Sequence, residues 1–474
     1  MKMEPSWLER LLIPACGNQL SIDRLHKAIR YKAMEQSIYE SCSWALPFIQ
    51  LWHLKLAYLH SILKVHWFSK VGSHLFGLCQ SIQALGRSIN PDKIDFYPCH
   101  NAVKTVFEGM TLTATYVFLQ AHTHSSASQS DCMPSELDKH FATGGCFPDC
   151  SLAQLEWVAN QVYKHYMTTE AYQSTTPPTQ VSTQALVFQE LEHYNKDINY
   201  SVTELIRSGL GSDQLLGNLI LFIQDAFWYL ELALAIPEGD TGRVFEILKM
   251  LRFSFWGSGA KNYGSEILEL ASGFLYEFPS KLKEVLLNNW LVNPSGLPRH
   301  WQECNFFQEH SNKAIKVVFN LMNLQWDSRF LRHAVSVNIG GLSRLRANML
   351  QFLGLRSPGS GRARPDYPAN LNVLASHYLQ EQAFALQLAR RQDVLASDMF
   401  GDGIDKLDSG ALKKFLSRTV VTRAGQTKAP VADADKDTGN EMDVELNEGQ
   451  LRPLVMEGGE LIEGGLGDDI EGNE

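Results

Sequence analysis

The chain of 474 residues has an ordinary globular composition, with 45% hydrophobic and 20% charged residues, which excludes a collagen-like chain, a mostly disordered chain and a small disulfide scaffold. Its net charge of −10 is concentrated in residues 430–474, which carry fourteen acidic and two basic side chains. Because the remaining residues are nearly neutral, the overall acidity gives no information about the partners of the globular part.

Two short apolar runs near the N-terminus, 11–15 and 46–51, each contain a proline. Their length is typical of short strands, and proline favours a sheet edge because it cannot donate a ladder hydrogen bond. We therefore expect a small mixed α/β piece within the first sixty residues of a chain that is otherwise mainly α.

Helical periodicity dominates the rest of the chain. Ser151 and Gln154 have the spacing of a capping box, in which each residue satisfies a free amide of the other. Apolar residues then recur every three or four positions, as one buried helix face requires. Further helices are predicted over 280–291 and 303–322, and another is predicted to be capped by Asn370.

The most apolar stretch, 217–236, is predicted to be a core helix that is capped by Asp213 and ends before Pro237. Asp225 and Glu231 lie within this stretch, and a lipid-facing span disfavours such charges. We expect no membrane association. The first residues do not resemble a signal peptide, so we expect an intracellular protein of the nucleus or cytoplasm, not a secreted one.

Composition divides the chain into four segments: a helical body (1–355), a linker rich in glycine and proline (356–369), a helical extension (370–423) and an acidic tail (424–474). The tail is predicted to be disordered. Its acidic part combines high net charge with no aromatic residue, so it cannot bury enough apolar surface to offset the loss of chain entropy.

Six short motifs occur in order within residues 6–355. They are residues 17–21 (Gly-Asn-Gln-Leu-Ser), 52–53 (Trp-His), 262–264 (Asn-Tyr-Gly), 288–293 (Asn-Asn-Trp-Leu-Val-Asn), 308–312 (Gln-Glu-His-Ser-Asn) and 332–338 (Arg-His-Ala-Val-Ser-Val-Asn). In this order they resemble a fungal family called domain of unknown function 6589. The function of that family is unassigned, so the resemblance does not imply an activity.

The family is similar to transposases in which a ribonuclease-H-like core is interrupted by a helical insertion. Such enzymes use three carboxylates to hold two divalent ions for phosphodiester chemistry. The resemblance makes Asn18, His53 and Glu309 the remnant candidates for a catalytic site. The family has an aspartate where Asn18 stands, and no aspartate precedes residue 16. The resemblance therefore implies that the metal chemistry has been lost, and we expect neither a cofactor nor catalysis.

Structural roles are also open for these candidates. A lone histidine such as His53 is more often a hydrogen-bonded core residue than part of a site. Glu309 has Asn312 and Lys316 on its helix face, which is equally typical of a solvated surface.

Four cysteine and histidine residues in a polar loop, Cys132, His140, Cys146 and Cys150, are weak candidates for zinc ligands. Three residues separate Cys146 from Cys150, one more than in the commonest zinc knuckle, and no second knuckle follows. We therefore expect no bound metal.

The strongest chemical signal is a basic segment, residues 328–365, which contains seven arginines and no Asp, Glu or Lys: Arg329, Arg332, Arg344, Arg346, Arg356, Arg362 and Arg364. Arginine offers planar donors that match phosphate oxygens, so these are the candidate nucleic-acid-binding residues. The alternative is a set of surface helices that pair with acids elsewhere.

The leading hypothesis is a non-catalytic protein of transposon-derived type that binds nucleic acid or a protein partner. A metal-dependent nuclease, or a fragment of one, is the first alternative, and a helical interaction scaffold is the second. The missing carboxylates argue against the first alternative, and the basic segment argues against the second.

Overall fold

A computed structural model of the chain describes residues 12–68, 76–122, 137, 149–175, 212–321, 325, 328–353, 367–387, 390, 392, 394–423, 454–457 and 460–463. Helices dominate these residues, so the prediction of a mainly α fold is confirmed. Contacts divide the chain into two compact units. The strand unit comprises residues 1–58, 231–364 and 402–474, and the helical unit comprises residues 59–230 and 365–401.

The strand unit begins with β1 (Ile13–Gly17), α1 (Gln19–Tyr31) and β2 (Ala45–Ile49). The two strands pair in parallel, in register from Ile13 opposite Ala45 to Gly17 opposite Ile49. Parallel neighbours need a crossover connection, which α1 provides. The predicted α/β piece is therefore present, although β1 begins two residues later than expected.

Helix α1 is tied to α9 (Lys261–Ser272) by two polar side-chain contacts. His26 Nε2 lies 3.3 Å from the Glu266 carboxylate, and Arg30 donates to Glu269 over 3.4 Å. Helix α9 also packs on α8 (Thr241–Gly257). There, a Cβ on Gly264 would lie 2.5 Å from the Trp256 ring, so only glycine fits in the Asn-Tyr-Gly motif. A π-helical turn, Gly273–Glu277, extends α9.

The chain then forms α10 (Ser280–Asn288), the strand pair β3 (Leu291–Val292) and β4 (Gln302–Glu303), and α11 (Cys304–Leu321). The predicted helix 280–291 is too long at its C-terminal end. Trp290 is fully buried and Leu291 and Val292 pair with β4, so these residues leave the helix to enter the core. The helix predicted over 303–322 is confirmed within one residue at each end.

A π-helical turn, Leu331–Val335, leads into α12 (Ser336–Phe352), which packs against α11. The contact is apolar and brings together Leu331, Val335, Ile339, Ala314, Ile315, Val318 and Phe319. Leu331 and Val335 of the π-helical turn and Ile339 of α12 supply one side of this contact.

The helical unit contains α3 (Leu78–Ala84), α4 (Phe96–His122), α5 (Leu152–Tyr166), α6 (Thr169–Thr175) and α13 (Tyr367–Gln380), with residues 59–66 of α2 (Leu51–His66) and 214–230 of α7 (Gln214–Glu238). The capping box of α5 is confirmed. Ser151 Oγ accepts from the Gln154 backbone over 3.4 Å, and the Ser151 backbone donates to the Gln154 side chain over 2.8 Å.

Helix α7 is capped as predicted, because Asp213 Oδ1 accepts from the Leu216 backbone over 3.0 Å. It runs through Pro237, where the sequence predicted its end. Proline in a last turn removes only one intrahelical bond, which explains this difference. Among the described residues, α7 is also the one helix long and apolar enough to cross a membrane, yet 78% of its apolar window is buried, as expected for a core helix.

Helix α13 begins three residues before Asn370, so the prediction of Asn370 as a cap is wrong. Proline is favoured in the first turn of a helix, and Pro368 therefore explains why α13 already begins at Tyr367. Within this helix Leu374 and Tyr378 are fully buried, and the Tyr378 hydroxyl donates to Ser81 over 2.8 Å.

The C-terminal part contains α14 (Met399–Lys406), a π-helical turn (Leu407–Ala411) and α15 (Leu412–Arg423). Strands β5 (Leu454–Glu457) and β6 (Glu460–Glu463) then form an antiparallel pair that the sequence did not predict. The remainder of the predicted disordered tail and most of the predicted linker lie outside the described residues. The four-segment division of the chain stays a prediction.

Candidate functional site

The carboxyl ends of the parallel strands β1 and β2 share one edge of the sheet. Two segments that are distant in sequence meet where β2 ends. The backbone N–H of Trp52, just after β2, donates to Asn305 Oδ1 over 3.3 Å. The Asn305 side-chain N–H in turn donates to His53 Nδ1 over 3.0 Å. Asn305 lies in the first turn of α11, some 250 residues away in sequence. We call Trp52, His53 and Asn305 the amide–imidazole cluster.

Aromatic rings support this cluster from the interior. Trp290 donates its indole N–H to the carbonyl oxygen of Ile49 over 3.1 Å and packs against Phe48 with ring centroids 5.0 Å apart. Trp52 packs on Phe306 with centroids 4.2 Å apart. These contacts hold the end of β2 against the start of α11.

A buried ion pair lies beside the cluster. Lys55 Nζ is 2.5 Å from Glu303, and both side chains are at most 3% exposed. The ammonium also lies 5.0 Å from the centre of the Trp52 ring, where the ring quadrupole attracts a cation. Removing either partner would leave a buried charge uncompensated, so the pair ties α2 to β4.

The hydrogen bonds determine which nitrogen of His53 carries the proton. Asn305 Oδ1 is used by the Trp52 backbone, so the Asn305 amide N–H faces the imidazole and His53 Nδ1 accepts. A neutral His53 therefore carries its proton on Nε2. In this tautomer Nε2 is a hydrogen-bond donor, and neither a metal ligand nor a general base.

Burial lowers the pKa of His53, and the charges of Glu309 and Glu303 offset part of this effect. The imidazole is therefore neutral at neutral pH. Glu309 lies one helical turn after Asn305 on the same face of α11, which explains its electrostatic effect on His53. The structure thus brings together two of the three residues that the resemblance singled out.

Asn18, the third of these residues, caps α1. Its side-chain oxygen accepts from the Ser21 backbone over 2.9 Å, as expected for asparagine before a helix. Aspartate caps a helix equally well, so the cap alone does not explain the amide. Asn18 is engaged with its own helix, and it adds no charge to the edge.

Cys304, a thiol close to the edge, is also unreactive in character. Burial, together with the neighbouring Cys16 and Glu303, raises the pKa of Cys304 to about 11. Its Sγ donates to the Asn289 carbonyl oxygen over 3.0 Å. A thiol with such a pKa is protonated at neutral pH and is a poor nucleophile.

Metal ligands are not assembled in the part of the chain that the structure describes, where no group of three His, Cys, Asp or Glu side chains could hold an ion. Of the weak zinc candidates, Cys150 is half-buried just before α5. Cys132, His140 and Cys146 lie outside the described residues, so the absence of zinc stays a prediction.

The basic segment lies elsewhere in the strand unit. Arg329 and Arg332 flank the start of the π-helical turn before α12, Arg344 lies within α12, and all three are exposed. Arg346 lies in α12, but its side chain is not among those described, and Arg356, Arg362 and Arg364 lie outside the described residues.

Sequence reasoning missed Asn305, Lys55 and Glu303, which hold the edge together. Asn305 and Glu303 precede the Gln-Glu-His-Ser-Asn motif, and Lys55 follows Trp-His by two residues. A charged residue within an apolar stretch of sequence, such as Lys55, indicates a buried ion pair. Its partner is separated by almost 250 residues, and no local pattern identifies it.

The chain belongs to a family of unknown function, DUF6589, whose model matches residues 1–362. The predicted resemblance to that family is confirmed. No curated protein matches the chain, and no solved structure matches it.

Four of the six motifs that carry the resemblance lie around the edge where β1 and β2 end. They are residues 17–21, 52–53, 288–293 and 308–312, which cap α1, begin α2, supply Trp290 and carry Glu309. Their contacts are mainly structural: one cap, one amide–imidazole cluster and one buried indole. The edge is therefore best understood as a structural centre of the strand unit.

Proposed function

We propose that the protein is a non-catalytic member of a transposon-derived group and that it binds nucleic acid through the basic segment. The observation that carries this proposal is the exposure of Arg329, Arg332 and Arg344 within a segment that contains no acidic residue. Exposed guanidinium groups on a helix suit phosphate oxygens, and phosphate contacts supply most of the sequence-independent affinity for nucleic acid.

The geometry of the strand edge supports the non-catalytic part of the proposal. Two-ion chemistry needs several carboxylates to hold the ions close together. At this edge Glu303 is committed to Lys55, Asn18 caps a helix, and the His53 tautomer presents a donor. Glu309 is then the one remaining carboxylate among the remnant candidates.

Binding is tested on the full chain with a fluorescent DNA duplex and with single-stranded RNA across a series of salt concentrations. Replacing Arg329, Arg332 and Arg344 by glutamine should weaken binding at low salt. For the duplex, the slope of log affinity against log salt should become shallower by up to about 0.9 for each arginine that contacts a phosphate. A control variant replaces three lysines of the same unit by glutamine: Lys281, Lys413 and Lys414.

The control has the same change in net charge, so it separates local contact from the general field of the protein. It should bind nearly as the native chain does. Equal losses in the two variants would contradict a specific role for the basic segment. No binding by the native chain would remove nucleic acid as the partner and favour the helical scaffold.

Catalysis is tested with magnesium or manganese and the same nucleic acids. We expect no cleavage, and Asn18→Asp alone should not create it, because one added carboxylate leaves the set incomplete. Metal-stimulated cleavage that disappears in Glu309→Ala would establish the metal-dependent nuclease and refute the non-catalytic proposal.

A further inference from the structure

The second half of α12 carries an exposed apolar stripe. Leu342, Leu345, Met349 and Phe352 are each at least 51% exposed, and they follow one another at intervals of three and four residues. Such intervals place side chains on one face of a helix. Earlier in the same stretch, Ile339 is buried against α11. The apolar side of α12 thus extends past the part that α11 covers.

Leaving this stripe in water is costly. Burial of one large aliphatic side chain stabilises a protein by about 1.5–3 kcal/mol relative to exposure. Scattered apolar residues on a surface are common, but a continuous stripe is typical of an interface. A binding partner that covers the stripe would recover this free energy.

Charge indicates the chemistry of that partner. The stripe lies in the basic segment, beside exposed Arg344, and residues 328–365 contain no acid. A suitable partner combines apolar side chains with negative charge. A second copy that used the same stripe would place arginine against arginine, so symmetric pairing is disfavoured.

Residues 454–463 have this combination of properties. Their sequence, Leu-Val-Met-Glu-Gly-Gly-Glu-Leu-Ile-Glu, contains five apolar residues, three glutamates and no basic residue. Strands β5 and β6 place Val455 opposite Ile462 and Met456 opposite Leu461, so four of the five apolar residues are cross-strand neighbours. We call residues 454–463 the tail hairpin.

We propose that the tail hairpin docks on the apolar stripe of α12, with its glutamates directed toward the arginines of the basic segment. Thirty residues separate the end of α15 at Arg423 from Leu454. A tether of that length reaches up to about 100 Å when extended, so it permits the contact. Linkage in one chain gives the hairpin an effective concentration of about millimolar, at which a weak contact is well populated.

Docking covers the surface that was assigned to nucleic acid, so the hairpin acts as an internal competitor for phosphate. This consequence rests on the proposed function, whereas the docking itself does not. Deletion or substitution of the hairpin should tighten nucleic-acid binding at low salt, and the gain should shrink as salt rises.

Methionine oxidation in the full chain tests the docking directly, without nucleic acid. Hydrogen peroxide converts an accessible thioether to the sulfoxide, and peptide mass spectrometry gives a rate for each methionine. Met349 lies in the stripe, and Met34, which is 80% exposed in the segment between α1 and β2, is the internal reference. If the hairpin is docked in about three molecules of four, Met349 is accessible in only about one of four. Loss of docking then accelerates Met349 oxidation about fourfold.

The first variant replaces the apolar residues Leu454, Val455, Leu461 and Ile462 of the full chain by serine. We expect Met349 to oxidise about fourfold faster than in the native chain, with the Met34 rate unchanged. Equal Met349 rates in the two chains would overturn the proposal.

A matched pair of charge variants sharpens the assignment. Glu457→Gln with Glu460→Gln and Glu463→Gln should also accelerate Met349 oxidation. Asp468→Asn with Asp469→Asn and Glu471→Gln changes the charge equally but outside the hairpin, and should have little effect. Equal acceleration by both sets would show a general charge effect and refute specific docking.

Protein concentration distinguishes this chain's own hairpin from a second copy. Docking within one molecule makes the Met349 rate independent of protein concentration. A Met349 rate that falls as the concentration rises would overturn the assignment to the hairpin of the same chain. Because no nucleic acid is present, failure here and failure of the proposed function are separate results.

Discussion

The strand edge and the second half of α12 belong to the same unit, yet they differ in how their chemistry is used. At the edge, polar groups in and beside the family motifs are bonded within the protein: Asn305 joins Trp52 to His53, and Glu303 neutralises Lys55. On α12, apolar and cationic side chains remain exposed. Motifs shared with a family can therefore mark a structural centre, whereas the exposed apolar and cationic side chains of α12 are the surface to which we assign binding.

The two regions should also differ in energetic sensitivity. A buried polar group that loses its partner suffers the full desolvation cost, whereas an exposed group is rehydrated. Substitutions at the strand edge should therefore affect folding, and substitutions on the second half of α12 should affect binding. Single substitutions in the two regions test this contrast.

Glu303→Gln should lower the free energy of unfolding of the strand unit by about 3–5 kcal/mol, because Lys55 then stays buried and unpaired. Urea-dependent hydrogen exchange on peptides that cover residues 45–58 measures this loss. Glu309→Gln is the control on the half-buried face of α11, and it should change stability by less than about 0.5 kcal/mol. Similar losses in both variants would show that the Lys55 pair has no special role.

Ile339→Ala and Leu345→Ala compare two apolar residues of one helix. Ile339 is buried against α11, so Ile339→Ala should lower the free energy of unfolding by about 2–4 kcal/mol. Leu345 is 56% exposed, so Leu345→Ala should lower it by less than about 1 kcal/mol. Hydrogen exchange in peptides from α11 and α12 measures both. A large loss at Leu345 would mean that the stripe is part of the folding core.

Asn305→Ala should lower the free energy of unfolding by about 1–3 kcal/mol, since the Trp52 backbone N–H is left buried without its acceptor. The same exchange assay measures it, with Gln308→Ala, an exposed position on α11, as the control. If Asn305→Ala were as harmless as its control, the amide–imidazole cluster would not support the edge.

His53 should produce the smallest effect, a dependence of stability on pH. Burial lowers its folded-state pKa below 6.5, so the unfolded chain binds the proton first as the pH falls. The folded state therefore loses stability as the pH falls below 6.5 toward the folded-state pKa. In His53→Gln this contribution disappears, and urea unfolding across that range should show a weaker acid dependence. An unchanged acid dependence would contradict a depressed pKa.

Local patterns predicted several helices correctly. The capping box at Ser151, the cap at Asp213 and the helix near 303–322 depend on neighbouring residues, and each is present. Errors arose where long-range packing prevailed, as at Trp290, which leaves a helical stretch to reach the core. Asn370 was wrongly predicted as the helix cap because Pro368, two residues earlier, is the stronger signal for a helix start.

The candidate site was predicted only in part. The family motifs predicted His53 and Glu309 as candidate site residues, and in the structure the charge of Glu309 acts on His53. Their roles followed from Asn305, whose amide determines the imidazole tautomer. Asn305 is polar and lies at the start of a helix, which from sequence alone resembles an ordinary surface position.

The amino-acid sequence by itself determined the mainly α class, the small α/β piece near the N-terminus, the family and the separation of the basic segment from the acidic tail. These follow from composition, from periodicity over a few turns and from ordered motifs, which need no knowledge of distant contacts. Tertiary structure alone decided that Lys55 meets Glu303, that Asn305 orients His53, and that α11 covers Ile339 while Leu345 stays exposed. The physical reason is that burial depends on which segments pack together. Residues with the same local sequence pattern can therefore be buried in one place and exposed in another.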